Sequence, residues 1–189
     1  MGFDKGIRQI MNCEKCEAPL MARGGQIYRY TECGLDDVYL SNVEVLACAL
    51  CSQTLPVIPR MKLLHEVIAR AIALQPYALR GQDIRFLRKQ LRFTAKEWAA
   101  LLRVDVSTLS RWENDSQQIG TQADALIRYV YLRLVEQWGQ RIDGNLAEQI
   151  AAAIQPRPVM SWVLIDSRNP LVYSYQCGEK RPSPLQLAF

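Results

Sequence analysis

Hydrophobic positions in the middle of the chain recur with the period of an α-helix. In residues 61–74, Leu64, Ile68 and Ile72 fall on one side of a predicted amphipathic helix, which Pro76 ends. Residues 82–92 repeat this pattern and predict a second helix with apolar positions facing inward. The positions of this second helix that are predicted to face outward are basic: Arg85, Arg88, Lys89 and Arg92.

Residues 93–115 predict two short helices joined by a tight turn. Thr94 followed by Glu97 is a capping-box start for the first helix. The second helix is expected to begin at Val106 or Ser107, with Leu109 and Trp112 on its buried side. Its other side carries hydrogen-bonding residues of the kind that read base edges in a DNA major groove: Ser107, Thr108, Ser110, Arg111 and Asn114.

Residues 125–138 are apolar on more than one side of a further predicted helix, which begins with a cap formed by Thr121 and Asp124. Such breadth indicates burial beyond the core of one small domain. The pattern allows two uses, a dimer interface or packing against residues 139–189.

Alternating apolar and polar positions predict strands on both sides of these helices. Residues 26–30, 35–40 and 43–47 alternate in this way, with a turn at Ser41-Asn42 between the last two. Residues 162–166 and 171–177 predict a C-terminal hairpin. This hairpin is suited to extending the first sheet or to pairing with a partner, and the pattern leaves both open.

Two C-x2-C pairs indicate a metal site in the first part of the chain. Cys13 with Cys16 and Cys48 with Cys51 have the spacing of two knuckles that aim four thiolates at one zinc ion. A disulfide or a redox dithiol is the less favoured alternative. Neither knuckle has the glycine that commonly follows its second cysteine; Glu17 and Ser52 stand there.

Composition limits the class of protein further. The 189 residues contain no charged-then-apolar leader and no apolar run long enough to span a membrane, so we expect a soluble, cytoplasmic protein. The positive charge is concentrated in one region. Residues 60–111 hold eleven Lys and Arg against four Asp and Glu, whereas the segments before and after are slightly acidic. Phosphate binding requires such a distribution, although a solvated basic face also produces it.

The stretch TLSRWEN at 108–114 resembles the helix-turn-helix of the Cro/repressor type. The match departs at three positions, where Ala95, Arg103 and Asp115 replace the family's usual Gln, turn Gly and closing Gly. Arg103 must therefore adopt a left-handed conformation or lie in a different turn. The positions that match the family pattern are Thr94, Ala99, Val104, Thr108, Leu109, Ser110, Arg111, Trp112, Glu113 and Asn114.

The order of the two motifs over residues 11–138 resembles the MqsA family of antitoxins, whose members carry a YgiT-type zinc finger. The resemblance implies a zinc-bound N-terminal domain that neutralises a toxin and a dimeric DNA-binding domain that represses its own operon. The family reads its operator with an Asn and an Arg. The matching positions here are Ser107, which changes the preferred sequence, and Arg111.

We therefore predict an α+β protein, with a small zinc-bound antiparallel β module followed by an all-α repressor-like helix-turn-helix domain. The expected divisions are a zinc-finger module (1–59), a linker helix (60–78), the DNA-binding domain (79–138) and a C-terminal extension (139–189).

The predicted function is sequence-specific binding of a palindromic operator by a homodimer, with a toxin protein as a further partner and no membrane. A stand-alone regulator with a redox-sensing or partner-sensing cysteine module is the alternative. An enzyme is not expected, because four Cys ligands leave no open metal position. Base edges are assigned to Ser107, Thr108, Ser110 and Arg111, and phosphates to Arg85, Arg88, Lys89, Lys96 and Asn114.

Overall fold

The computed structural model describes residues 12–137, 162–167 and 174–178, which form a mixed α+β fold. Most of the predicted C-terminal extension (139–189) lies outside these residues. The elements in chain order are β1 Leu20–Arg29, β2 Val38–Cys48, β3 Thr54–Val57, α1 Met61–Leu74, α2 Gly81–Gln90, α3 Ala95–Leu102, α4 Val106–Glu113, α5 Thr121–Gln137, β4 Trp162–Asp166 and β5 Ser174–Gly178.

Strand β2 is the centre of the sheet, and β1 pairs antiparallel along one of its edges. The other edge is shared, because β4 pairs in parallel with residues 38–41 and β3 pairs antiparallel with residues 44–47. Strand β5 extends the sheet beyond β4. The C-terminal hairpin therefore extends the N-terminal sheet, which is one of the two uses that the sequence pattern allows.

The predicted turn at Ser41-Asn42 is wrong, because β2 runs through both residues. Asn42 takes a left-handed conformation (φ 58°), which asparagine tolerates better than most residues. Its side-chain amide donates to Asp166 Oδ1 at 3.3 Å. The local irregularity thus lies where the partner strand on this edge changes from β4 to β3, and it bends the strand without ending it.

Helix α1 belongs to the core and is not merely a spacer between modules. Leu64, Ile68 and Ile72 are buried as their spacing predicts. The helix packs against two helices, α2 and α5, and also against two strands, β4 and β5. The sheet residues Val38 and Leu40 accordingly belong to the same hydrophobic cluster as the interior of the helical part.

The N-terminus of α2 lies directly against the end of α4. A Cβ atom at Gly81 would lie 2.6 Å from the carbonyl oxygens of Trp112 and Glu113, which is closer than any side chain permits. The Gly81 amide donates to Asp115 Oδ1 at 2.6 Å. This contact needs glycine, and it fixes α4 relative to α2.

A buried arginine holds the segment between α1 and α2. Arg128 Nη1 donates to the carbonyl oxygens of Gln75 at 2.6 Å, Ala73 at 3.1 Å and Ile72 at 3.3 Å, and Nη2 donates to that of Tyr77. These bonds satisfy carbonyl groups that the end of α1 leaves without helical partners.

The partner of Arg128 is Asp124, which accepts from its Nε and, through Oδ2, from the Leu79 amide at 2.7 Å. The predicted cap by Thr121 and Asp124 is therefore wrong. Thr121 is the first residue of α5, the Asp124 amide bonds to the Gly120 carbonyl, and the Asp124 carboxylate belongs to the buried network.

Replacing Arg128 by alanine should lower the free energy of unfolding by about 3–5 kcal/mol, because Asp124 would remain buried without its cation. Urea denaturation measures this change. Arg133→Ala is the matched control, since Arg133 forms an exposed ion pair with Glu136, and we expect it to cost less than about 1 kcal/mol. Equal losses for the two variants would contradict the structural role of the buried network.

Candidate metal centre and candidate nucleic-acid surface

The two cysteine pairs lie on two knuckles of the same backbone design. In the first, the Cys13 amide donates to the Ala18 carbonyl at 2.8 Å; in the second, the Cys48 amide donates to the Gln53 carbonyl at 2.9 Å. The first knuckle precedes β1, and the second joins β2 to β3. The pairing of Leu20 with Cys48 across β1 and β2 brings both knuckles to the same end of the sheet.

All four Sγ atoms of Cys13, Cys16, Cys48 and Cys51 lie within 4.8 Å of one another. The distances from Cys13 to Cys51 and from Cys16 to Cys48 are both 3.4 Å, too long for a disulfide bond of about 2.05 Å. A tetrahedron of sulfurs about 2.3 Å from a zinc ion has edges of about 3.8 Å. The cluster is thus able to hold a metal ion, and the donor set fits a closed structural site.

The knuckle amides act to lower the pKa of each of the four thiols, but the hydrogen bonds between the sulfurs leave Cys13 and Cys48 with a lowered pKa and Cys16 and Cys51 with a raised one. Amide groups of Cys51 and Leu50 lower the pKa of Cys48 to about 6, and the Lys15 amide lowers the pKa of Cys13. The Ala18 amide also lowers the pKa of Cys16, but the hydrogen bond with Cys48 acts against it, and the pKa rises to about 12. Full ionisation therefore needs a cation among the four sulfurs.

Glu17 and Ser52, which follow the second cysteine of each knuckle, both have left-handed backbones, with φ of 61° and 57°. The position after the second cysteine thus has the left-handed backbone that makes glycine common there, but in this chain it is occupied by Glu17 and Ser52. Each side chain costs conformational free energy there.

Helix α4 is anchored by the buried side chains of Leu109 and Trp112, as predicted. Its opposite side leaves Ser107, Ser110 and Arg111 exposed, while Thr108 is half-buried. The four residues assigned to base reading thus lie on one short helix, and three of them face solvent.

In the turn before α4, the sequence allows either a left-handed Arg103 or a different turn, and the structure has the left-handed residue. Arg103 ends α3 in the left-handed region, with φ 59°. Thr94 and Glu97 form the predicted capping box at the other end of α3, where the Glu97 amide donates to Thr94 Oγ1 at 3.2 Å and the Thr94 amide donates to Glu97 Oε2 at 2.8 Å.

The predicted outward orientation of Arg88 is wrong. Its guanidinium donates to both carboxylate oxygens of Glu113, at 2.6 and 2.8 Å, and to the Phe93 carbonyl at 3.0 Å. The side chain is only 13% exposed. Since Glu113 is itself buried, its carboxylate needs a cation, and Arg88 supplies it across 25 residues of sequence. Arg88 therefore positions α4 and is not available to phosphate.

The other residues assigned to phosphate divide into two groups. Arg85 Nη2 donates to Asn114 Oδ1 at 2.6 Å, and the side-chain Nδ2 of Asn114 donates to the Ser110 carbonyl at 2.9 Å. Arg85 and Asn114 therefore lie together at the end of α4. Lys96 is exposed on α3. Lys89 is also exposed, but it lines a hollow shared with α1 and α5.

Glu113 and Gly81 are the residues around α4 whose roles sequence reasoning missed. In the sequence, Glu113 is only one position of the repressor-like pattern, and Gly81 lies outside the helix predicted over residues 82–92. Both act through partners on another helix, and no local pattern marks such a pairing.

Comparisons of the chain with protein families, with curated proteins and with solved structures found no match. The site is therefore interpreted from its own residues. Among the residues described, no helix combines the length and the apolar character that crossing a membrane requires.

Protein purified without chelators should contain one metal ion per chain, and Cys48→Ser should lose it, because three thiolates and a hydroxyl form a much weaker site. Native mass spectrometry measures the metal content. Cys33→Ser is the control, since Cys33 Sγ donates to the Tyr30 carbonyl and is not among the four clustered thiols. A metal-free wild type with an intact sheet would contradict this assignment.

Ser52→Gly should stabilise the metal-loaded protein by roughly 0.5–1 kcal/mol, because glycine adopts the left-handed conformation without steric cost. Ala49→Gly, in the same knuckle but not at a left-handed position, should destabilise it through chain entropy. Urea denaturation in the presence of zinc measures both. A destabilised Ser52→Gly protein would show that the left-handed backbone at this position is not what limits stability.

Proposed function

We propose that the chain is a sequence-specific DNA-binding regulator of transcription in which α4 enters the major groove. The observation that carries this proposal is the two-sided construction of α4. Leu109 and Trp112 fix one side in the core, and Ser107, Ser110 and Arg111 are exposed on the other, where Arg111 Nε donates to the Ser107 carbonyl of the same helix at 3.3 Å. A short helix with its inner side fixed in the core and polar side chains on its outer side is suited to enter a major groove. Its donors and acceptors can then contact base edges.

The ion pair between Arg88 and Glu113 and the close contact at Gly81 support the same proposal. Both restrain α4 from the side away from solvent, so the exposed side chains need little reorganisation on binding. Arg111 has the fork of donors that suits guanine O6 and N7, and Ser107 offers a hydroxyl beside it.

Backbone phosphates would be held by exposed cations around α4. Residues 60–111 carry a net charge of +7. The described cations suited to this role are Lys96, Lys89 and Arg85, which stays 41% exposed although it also lies 3.7 Å from Glu113, and the neutral Asn114 adds a donor at the end of α4. Arg88 is excluded, because its charge is already paired with a buried carboxylate.

A homodimer on a palindromic operator would place two α4 helices in successive major grooves. Helix α5 offers a surface for this assembly, since Leu126 and Tyr129 remain 42% and 46% exposed although Ile127 and Leu132 of the same helix are fully buried. We assign the metal centre to zinc in a structural, non-catalytic role, because four thiolates leave no open coordination position.

A second and compatible role is that of an MqsA-like antitoxin that represses its own operon and binds a toxin through the β module. Leu50 at the tip of the second knuckle is 76% exposed, and Leu55 and Val57 of β3 are also exposed. Such an apolar surface favours a protein partner.

The alternative is a stand-alone regulator whose cysteine module senses redox state. In that case a mild oxidant should abolish DNA binding reversibly.

Arg111→Ala should weaken binding to the duplex upstream of the protein's own gene by about 1–3 kcal/mol, as for one lost bidentate base contact. Binding to a base-shuffled duplex should change little. Fluorescence anisotropy measures both affinities. Arg133→Ala, which removes an exposed arginine from α5, is the matched control and should leave the ratio of the two affinities unchanged.

Lys96→Gln should have a different effect, weakening both duplexes alike and reducing the salt dependence of binding by about one ion. If the wild type bound the operator and the shuffled duplex equally, base reading by α4 would be refuted.

A further inference from the structure

A hollow lies between α1, α5 and the C-terminal end of α2, separate from both the cysteine cluster and the exposed side of α4. Its volume is about 540 Å³, which falls within the usual range of about 300–1,000 Å³ for small-molecule sites. Side chains from α1, from α5 and from the end of α2 line it; Leu91, Tyr131 and Val135 are buried, and His65 is half-buried.

The lining is apolar and aromatic over much of its surface. Leu91 and Val135 contribute aliphatic surface, and His65 and Tyr131 contribute flat rings. His65 Nε2 lies 2.8 Å from Tyr30 Oη, and its ring packs edge-on against Phe86. Burial lowers the pKa of His65 and so favours the uncharged ring, which offers a flat surface.

Positive charge is concentrated on one wall of the hollow. Lys89 and Arg92 both line it, and within residues 12–137, 162–167 and 174–178 neither side chain has an ion pair. Lys62 and Glu66 also line the hollow and form an ion pair 3.8 Å apart. The Glu66 carboxylate also lies near Tyr131, where, after burial, it raises the pKa of the phenol, so Glu66 forms the acidic side of the hollow. The uncompensated charge next to a flat apolar surface is therefore that of Lys89 and Arg92.

We propose that this hollow binds a small organic anion with a flat apolar body, such as an aromatic carboxylate, with its charge against Lys89 and Arg92 and its ring over His65 and Tyr131. A flat ring matches the volume and the aromatic lining, and a carboxylate matches the two free cations. The proposal also gives Lys89 a role that does not depend on DNA binding.

The test is an NMR titration of the isotope-labelled full chain with 2-naphthoate and, as the uncharged analogue of the same shape, 2-naphthamide. Naphthoate should produce saturable shifts at Leu91, Tyr131 and Val135 and bind about tenfold more tightly than the amide, as expected for two partly exposed charge pairs.

The Lys89→Gln and Arg92→Gln double variant should lose this preference for the anion while binding the amide as before. Lys96→Gln, which changes an exposed lysine outside the hollow, is the matched control and should bind like the wild type. Shifts scattered over the exposed apolar positions of the sheet, equal binding of the two probes, or an unaffected double variant would each overturn the proposal.

Discussion

The position of the helical part depends on Arg128, which is 1% exposed and bonded to Asp124 and to four carbonyl oxygens of the segment from Ile72 to Tyr77. A buried ion pair of this kind adds little net stability compared with a well-packed apolar core, but removing one partner is costly. Its main effect here is to specify geometry. It fixes the path between α1 and α2, and thereby the position at which α2 begins against α4.

A second set of charges connects this segment to the sheet. Arg80 pairs with Asp36 at 2.9 Å, with Asp37 at 2.8 Å and with Asp83 at 3.2 Å. Asp36 and Asp37 precede β2, whose far end carries two of the clustered cysteines. Strand β2, which leads to the clustered cysteines, and helix α4 thus contribute to one hydrophobic cluster, since Val38 and Leu40 belong to it together with Leu109.

The sequence predicted features whose physical cause is local. The cysteine spacing, the capping box at Thr94 and the buried positions of α1 and α4 depend on residues a few positions apart. It failed where a distant partner decides the outcome. Arg88 has a basic-face pattern, but Glu113 lies 25 residues away and takes its charge. Asp124 resembles a cap, but its partners include the amide of Leu79, 45 residues distant. Asn42 resembles a turn residue, but its amide bonds to Asp166 across 124 residues.

We propose that the exposed side of α4 reads a DNA sequence. The direct test is selection of duplexes from a fully random pool by the metal-loaded 189-residue chain, because no operator has to be assumed. We predict enrichment of an inverted repeat whose half-sites lie about one helical turn apart and contain a guanine that Arg111 contacts. A pool that remains random after repeated rounds, with binding that depends only on salt, would contradict the account.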